Sequence, residues 1–219
     1  DHPVPREMTK SDIDLTVQEY AIAAKNAILA GFDGVEIHGA NGYLVDQFLN
    51  SKSNQRTDEY GGSDQNRSRF ALEVASAIAN EIGPERTGVR ISPFNVFNDL
   101  EIYDSIESTY EHLAREFGRL GLVYIHMIDV KNMGGYDVPL GFKENIKAAF
   151  NGPVILNGGL DLAGAERLIE SGVGDMASFG SPFIANPDLV ERLKKNLALS
   201  DPDPATFYTP GEKGYTSYE

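Results

Sequence analysis

Short apolar runs alternate with longer amphipathic stretches along almost the whole chain, and no other feature constrains its fold as tightly. A helical period runs from Ser11 to Ala30, with Ser11 or Asp12 as the expected N-cap and Gly31 as the stop. Gly34 to Ile37 reads as a strand, Tyr43 to Leu49 as one or two helical turns, and Asn50 to Gln65 as a long polar loop. Helices follow at Arg67–Ile82, Ser105–Leu120, Phe142–Phe150, Leu162–Ser171 and Pro187–Leu197. Between them lie strands at Thr87–Ser92, Leu122–Ile128, Pro153–Leu156 and Asp175–Phe179. The tail from Ser200 is rich in Pro, Gly and Tyr and reads as extended. The strands "VEI", "VYI" and "PVIL" are apolar throughout, as expected when both faces of a parallel sheet are covered. No linker interrupts one helix followed by five strand–helix units, so residues 1–219 are expected to form a single domain.

A doubly wound sheet and a (β/α)8 barrel both fit that order. The nearest G-x-G-x-x-G match, Gly172 to Ala177, precedes a strand instead of following one, which speaks against a dinucleotide fold. The polar residues His38, Arg90, Asp129, Asn157 and Gly180 stand at strand ends, the arrangement of a barrel whose site sits at its C-terminal mouth.

The formal net charge of -14 opposes nucleic acid or anionic membrane as a partner, since phosphate is held mainly by Lys and Arg. With no cysteine, disulfides, thiolate catalysis and iron–sulfur ligation are excluded, and a cytoplasmic location is expected. No apolar run approaches the roughly 20 residues of a membrane helix. The opening "DHPVPREMTK" has no initiator Met and reads as the middle of a longer protein or a processed start. His2, His112 and His126 do not group as ligands and no H-E-x-x-H occurs, so no metal is expected.

Several residues invite a chemical reading. His38, Asn41 and Tyr43 stand within six positions of each other after the first strand. A helical turn beginning near Gly39 would let His38 and Asn41 face one point and donate to one oxygen, the pairing that a developing oxyanion needs. Tyr43, with an ordinary phenol pKa of about 10, can deliver a proton. The alternative is a capping turn whose polarity is incidental. Arg90, inside the apolar strand "GVRISP", must pair with a carboxylate or face an anionic or electron-rich ligand. Asn157-Gly158-Gly159 and Gly180-Ser181 follow the last two strands and suit a phosphate cradle; ordinary tight turns are the alternative. The loop Ser53–Phe70, with Arg56, Asp58, Asp64, Arg67 and Arg69, reads as a frame braced by ion pairs, with Ser63 as an N-cap.

The stretches "AGFDGVEIHGANGYLVDQFL", "NQRTDEYGGSDQNRSRFALEV", "VRISP", "NGG" and "PFIANPDLVERL" occur in the order and spacing of the old yellow enzyme family, which the chain resembles from near Asp1 to "GYTSY". The resemblance implies a TIM (β/α)8 barrel, FMN as cofactor, NADPH or NADH as hydride donor, and reduction of an activated alkene as the activity. By position, His38 and Asn41 resemble the pair holding the substrate's electron-withdrawing oxygen, and Tyr43 the proton donor. Arg90 resembles the arginine beside the flavin ring. Asn157, Gly158, Gly159, Gly180 and Ser181 occupy cofactor positions, the glycines and Ser181 those of the phosphate cradle, and Tyr208 resembles a tail tyrosine lining the substrate pocket. The family usually carries Arg where this chain has Ser181, which removes a charge-assisted contact to the phosphate. The absence of cysteine argues against the larger relatives that add an iron–sulfur cluster.

The five strands match the family's fourth to eighth. A closed barrel has no sheet edge, so the remaining strands are expected from a longer chain or from a second chain. Two other readings stay open: a non-catalytic half-barrel that needs those strands to hold FMN, and an unrelated barrel enzyme acting on a phosphorylated substrate.

Overall fold

The first helix begins where two side chains close on each other. The Thr9 hydroxyl accepts from the Asp12 amide, and the Asp12 carboxylate accepts from the Thr9 amide, a capping box that places the N-cap two residues before Ser11. The computed structural model describes residue 4 and residues 6–131 and 134–217. Helix α1 (Lys10–Leu29) leads into β1 (Val35–Gly39), α2 (Leu44–Leu49), α3 (Asp64–Ile82), β2 (Thr87–Ile91) and α4 (Ile106–Leu120). Then come β3 (Tyr124–Ile128), α5 (Leu140–Phe150), β4 (Val154–Asn157), α6 (Leu162–Glu170), β5 (Met176–Ala177), α7 (Ser181–Ala185) and α8 (Leu189–Lys194).

All four strand pairings are parallel, and the spatial order is β1-β2-β3-β4-β5. A doubly wound sheet reverses its strand order at a switch point; this sheet never does, which is the progression of a barrel wall. Register and alternation give the sheet two faces. Ile37, Val89, Ile125 and Val154 form one row, and Ile91, Met127 and Leu156 the next, all buried beneath the helices. Against them pack Phe70, Val74 and Ile78 of α3, Tyr110, Leu113 and Phe117 of α4, and Phe142, Ile146 and Phe150 of α5. Each triple repeats at three- or four-residue spacing, so each helix turns one apolar stripe to the sheet. The opposite face carries His38, Arg90 and His126 in one register row.

The long loop before α3 is held as its charges suggested. Arg56 pairs with Asp58 and Glu7 and donates to the Met8 carbonyl at 2.7 Å. Arg67, 3% exposed, donates to the Leu49 carbonyl, to Asp64, and to the Ser105 and Thr109 hydroxyls. Ser63 caps α3 by accepting from the Asn66 amide at 3.2 Å.

Three boundaries differ from the sequence expectation. Strand β1 runs on through His38 to Gly39, because β2 offers it partners that far, Gly39 opposite Ile91. Strand β5 is two residues long, although the Asp175 and Ser178 amides still bond Val154 and Leu156 carbonyls at 2.9 Å. It has a neighbour on one side only, so half of its backbone groups lack ladder partners within the described residues. The expected helix Pro187–Leu197 shrinks to α8 and gains α7 before it. Asn186 separates the two, donating to the Pro182 and Ser200 carbonyls and accepting from the Ser200 amide. The tail is not uniformly extended: Pro204–Thr206 forms a 3-10 turn.

Candidate active site

His38 sits on β1 with its side chain on the face away from the helices, and the chain then turns sharply. The helical turn expected near Gly39 does not form there. Instead Asn41 and Gly42 adopt left-handed conformations, φ 57° and 72°, before α2 begins with Tyr43 as its N-cap residue. Only glycine fits at Gly42, since a Cβ there would lie 2.4 Å from the Phe97 carbonyl oxygen. The Asn41 amide N–H donates to Ser92 Oγ at 2.7 Å, and the Asn41 carbonyl accepts from Asn98 Nδ2 at 2.9 Å. Its side-chain Oδ1 is buried with no hydrogen-bond partner. The His38 and Tyr43 rings lie 5.2 Å apart, centroid to centroid, and Tyr43 is 57% exposed. Partial burial and the charge of Arg90 hold the His38 imidazole below its usual range. The ring is therefore neutral at pH 7 and keeps one N–H to donate.

Arg90 is beside His38 in the register, on the adjacent strand. It makes no ion pair among the described residues, which speaks against the first of its two sequence readings. Its Nη2 donates to Asn157 Oδ1 at 3.4 Å, and its Nε is buried without a partner. Asn157 Nδ2 donates to the carbonyl and hydroxyl oxygens of Ser178, both at 2.9 Å. Ser178 Oγ also meets His126 Nε2 at 2.9 Å, and His126 Nδ1 meets Glu36 Oε2 at 2.9 Å. Glu36, His126 and Ser178 thus join Arg90 and Asn157 in one polar row across β1 to β5. The sequence reading singled out none of the three for a role. The available signal was the one that drew attention to Arg90: a polar side chain, His126, inside an apolar strand.

The glycine turns differ from one another. Gly158 has φ 117°, and a Cβ there would stand 2.1 Å from the Asp129 carbonyl oxygen, so the turn after β4 tolerates only glycine. Gly159 is also left-handed, φ 61°. Gly180 has φ -104°, and a Cβ there would meet nothing within 4 Å, so neither backbone nor packing demands glycine at that position. Asp161 caps α6 by accepting from the Gly164 amide at 2.6 Å, which places a carboxylate at that helix start. A phosphate would therefore rest on the glycine turns and Ser181, the first residue of α7, and not on the α6 terminus. Tyr208 is 96% exposed, and among the described residues its ring pairs with Phe207, so the structure does not bring it to His38, Asn41 and Tyr43.

The residues present fit an FMN. An unsatisfied guanidinium nitrogen suits the electron-rich edge of a planar ring, and the open space over Gly180 admits a close backbone approach. Among the described residues no three His, Asp or Glu side chains group as a metal site, and no helix is long and apolar enough to cross a membrane. His2 lies outside the described residues.

Comparison with known proteins identifies the family. Residues 1–200 match the profile of the NADH:flavin oxidoreductase / NADH oxidase family. A probable flavin mononucleotide-dependent alkene reductase of Leishmania infantum is 46% identical over 218 residues, covering 99% of this chain and 58% of that relative. Morphinone reductase in complex with tetrahydroNAD superposes with a TM-score of 0.93 at 43% identity, over 100% of this chain and 59% of that one. The old yellow enzyme homologue of Zymomonas mobilis gives 0.93 at 36% identity, over 100% of this chain and 62% of that one. The chain thus spans about three fifths of the length of these relatives. Its five parallel strands are part of a TIM (β/α)8 barrel wall, and the chain belongs to the NADH:flavin oxidoreductase / NADH oxidase family, the old yellow enzymes that its motifs resemble.

Proposed function

We propose that this chain supplies the substrate-holding and proton-donating wall of an FMN-dependent ene-reductase that acts on α,β-unsaturated carbonyl or nitro compounds in the cytoplasm. The observation that carries the reading is the pair of buried, unpartnered polar atoms, Asn41 Oδ1 and Arg90 Nε, beside His38 and Tyr43 at the C-terminal ends of β1 and β2. Buried polar groups are normally satisfied, and an unsatisfied pair at a strand mouth marks a place for a ligand.

In this reading the Asn41 side-chain amide faces the ligand with Nδ2 in the place assigned to Oδ1, and His38 and Asn41 Nδ2 each donate a hydrogen bond to the substrate's carbonyl or nitro oxygen. Their donation stabilises the negative charge that grows on that oxygen as the alkene is reduced. Tyr43 Oη, exposed at the start of α2, delivers a proton to the substrate's α carbon. Arg90 Nε and Nη2 hold the cofactor ring, and Asn157 fixes the guanidinium. Gly158, Gly159, Gly180 and Ser181 hold the phosphate. FMN, when bound, carries hydride from NADPH or NADH to the β carbon of the alkene.

The test is direct. The purified protein is loaded with FMN and mixed with NADPH and 2-cyclohexenone, with Tyr43→Phe alongside. Flavin reduction should be normal in both, and enone reduction should fall at least about a hundredfold in Y43F, the scale of a lost general acid. Unchanged enone reduction in Y43F removes Tyr43 from its role, and failure of the protein to take up FMN removes the reading for this chain alone.

A second reading is favoured by the two edge strands, β1 and β5, each of which has one neighbour among the described residues. In it, FMN is taken up only when a further segment or a second chain pairs with those edges. Uptake that appears only with added protein, and a matching rise in mass, would select it.

A further inference from the structure

The polar turn after β1 does not stand on its own backbone. Beneath it lies Asp46, 2% exposed, on α2 between Val45 and Phe48. Its carboxylate accepts four hydrogen bonds from four separate parts of the chain. Oδ2 takes the Gly42 amide at 2.9 Å, the Ser92 hydroxyl at 3.0 Å and Asn95 Nδ2 at 3.3 Å. Oδ1 takes the Tyr110 hydroxyl at 2.8 Å. Ser92, 1% exposed, spends its only proton on Asp46 and accepts from the Asn41 amide. Asn95 in turn accepts from the Phe97 amide at 2.9 Å, and the Phe97 carbonyl is the atom that Gly42 lies against.

The two oxygens therefore have different duties. Oδ2 ties together the Asn41–Gly42 turn, the end of β2 and the loop that covers the turn. Oδ1 ties α4 to α2 and touches nothing near the site. Among the described residues no cation pairs with this carboxylate, and its donors are all neutral. Asn41 carries a left-handed φ, a region that asparagine enters more readily than most residues and that its neighbours here hold in place. The support is the amide bond to Ser92, and through Ser92 the carboxylate.

We propose that Asp46 is the positioning residue of this site: acting through Ser92 and the Gly42 amide, its Oδ2 holds the Asn41–Gly42 turn in the conformation that sets Asn41 and Tyr43 beside His38. Its relevance to catalysis rests on the ene-reductase reading above. The hydrogen-bond geometry does not.

Three substitutions separate this from a purely structural role. Ser92→Ala cuts the link to Asn41 and leaves Asp46 three donors. Tyr110→Phe removes the Oδ1 donor and leaves the turn untouched. Asp46→Asn keeps an acceptor for the Oδ2 donors and turns its amide toward Tyr110, whose hydroxyl can rotate to accept. Amide hydrogen exchange followed by NMR on the full chain reads the turn directly. In S92A the Asn41 amide should exchange about five- to tenfold faster, the loss of one hydrogen bond, while the Leu113 and Ala114 amides of α4 keep their protection. Y110F should show the reverse, and D46N should keep Asn41 protected. In FMN-loaded protein, S92A should raise KM for 2-cyclohexenone by a similar factor and leave flavin reduction by NADPH unchanged.

The proposal is overturned if Asn41 exchange in S92A matches the unmutated protein, or if Y110F loosens Asn41 as much as S92A does. It is also overturned if KM stays constant in S92A while the unmutated protein reduces the enone. An unmutated protein that reduces no enone removes the ene-reductase reading instead, and the exchange pattern then decides the role of Asp46 alone.

Discussion

The two ends of the sheet are built in opposite ways. At the β1–β2 end, the turn bearing Asn41 is braced from below by Asp46 and Ser92 and from above by Asn98, with donors drawn from three segments. At the β4–β5 end, strand β5 has two residues, α7 has five, and Gly180 and Ser181 are exposed with no close neighbour over the glycine. The first end is organised before any ligand arrives. The second offers backbone and space. A site that must place a proton donor to a fraction of an ångström needs the first kind of construction. In the proposed function the second has only to hold a phosphate, which exposed backbone and space can do.

That contrast can be broken at its strong end first. Replacing Asp46 with Leu leaves four buried donors without an acceptor, so urea unfolding should show a loss of at least about 4 kcal/mol, with each orphaned group costing about 1–3 kcal/mol. An equal loss in Ser181→Ala would abolish the distinction; that change should stay within about 0.5 kcal/mol, as for an exposed surface position.

The two glycine turns sharpen it next. Gly158→Ala forces a Cβ against the Asp129 carbonyl at a left-handed φ and should cost about 1–3 kcal/mol of stability. Gly180→Ala meets nothing and needs no special φ, so its stability should not change. Weakened FMN binding in G180A, measured by fluorescence titration, would then report contact with the ligand itself.

Ser181→Arg should tighten FMN by roughly 10- to 100-fold, the equivalent of about 1.5–3 kcal/mol for a hydrogen bond to a charged group. No change in the FMN dissociation constant would place the phosphate elsewhere.

The smallest effect is in pH. Burial pushes the Asp46 carboxyl above its ordinary value of 3.8, and the four donated hydrogen bonds offset only part of that. A raised folded-state pKa is a stabilising contribution that is complete below pH 3.8 and is lost as pH rises through the folded-state value. The stability of the unmutated protein minus that of Asp46→Asn, read from thermal melts, should therefore fall on going upward from pH 3.8. A difference that rises with pH would contradict the sign.

Much of this was legible in the chain because it is written locally. The apolar strands and the amphipathic repeats of α3, α4 and α5 fix a parallel sheet under helices without reference to distant residues. His38, Asn41, Tyr43 and Arg90 could be picked out because each is polar at the end of, or inside, an apolar run. What could not be read was the support. Asp46 in "YLVDQFL" looks like an ordinary polar helix position; its partners Ser92, Asn95 and Tyr110 are 46 to 64 residues away. The conformation of the turn was missed for the same reason, since the left-handed Asn41 is held in place by Ser92 beneath it. The shortness of β5 and the break at Asn186 also depend on neighbours in space, not in sequence. Tyr208 was placed by resemblance alone, and its exposure in this structure leaves its role to experiment.

The polar row across the strands has a direction. Glu36, as a carboxylate, can only accept, so the neutral form of His126 carries its proton on Nδ1 and presents a bare Nε2. Ser178 then has to donate to that nitrogen, Asn157 has to donate to Ser178, and Arg90 donates to Asn157. Every proton in the row points the same way, from the guanidinium toward the carboxylate. One link cannot be reversed while its neighbours stay as they are. Glu36→Gln would give that end both a donor and an acceptor and release the His126 tautomer. The disturbance would then be felt at Arg90, four hydrogen bonds away, by a residue that no ligand touches.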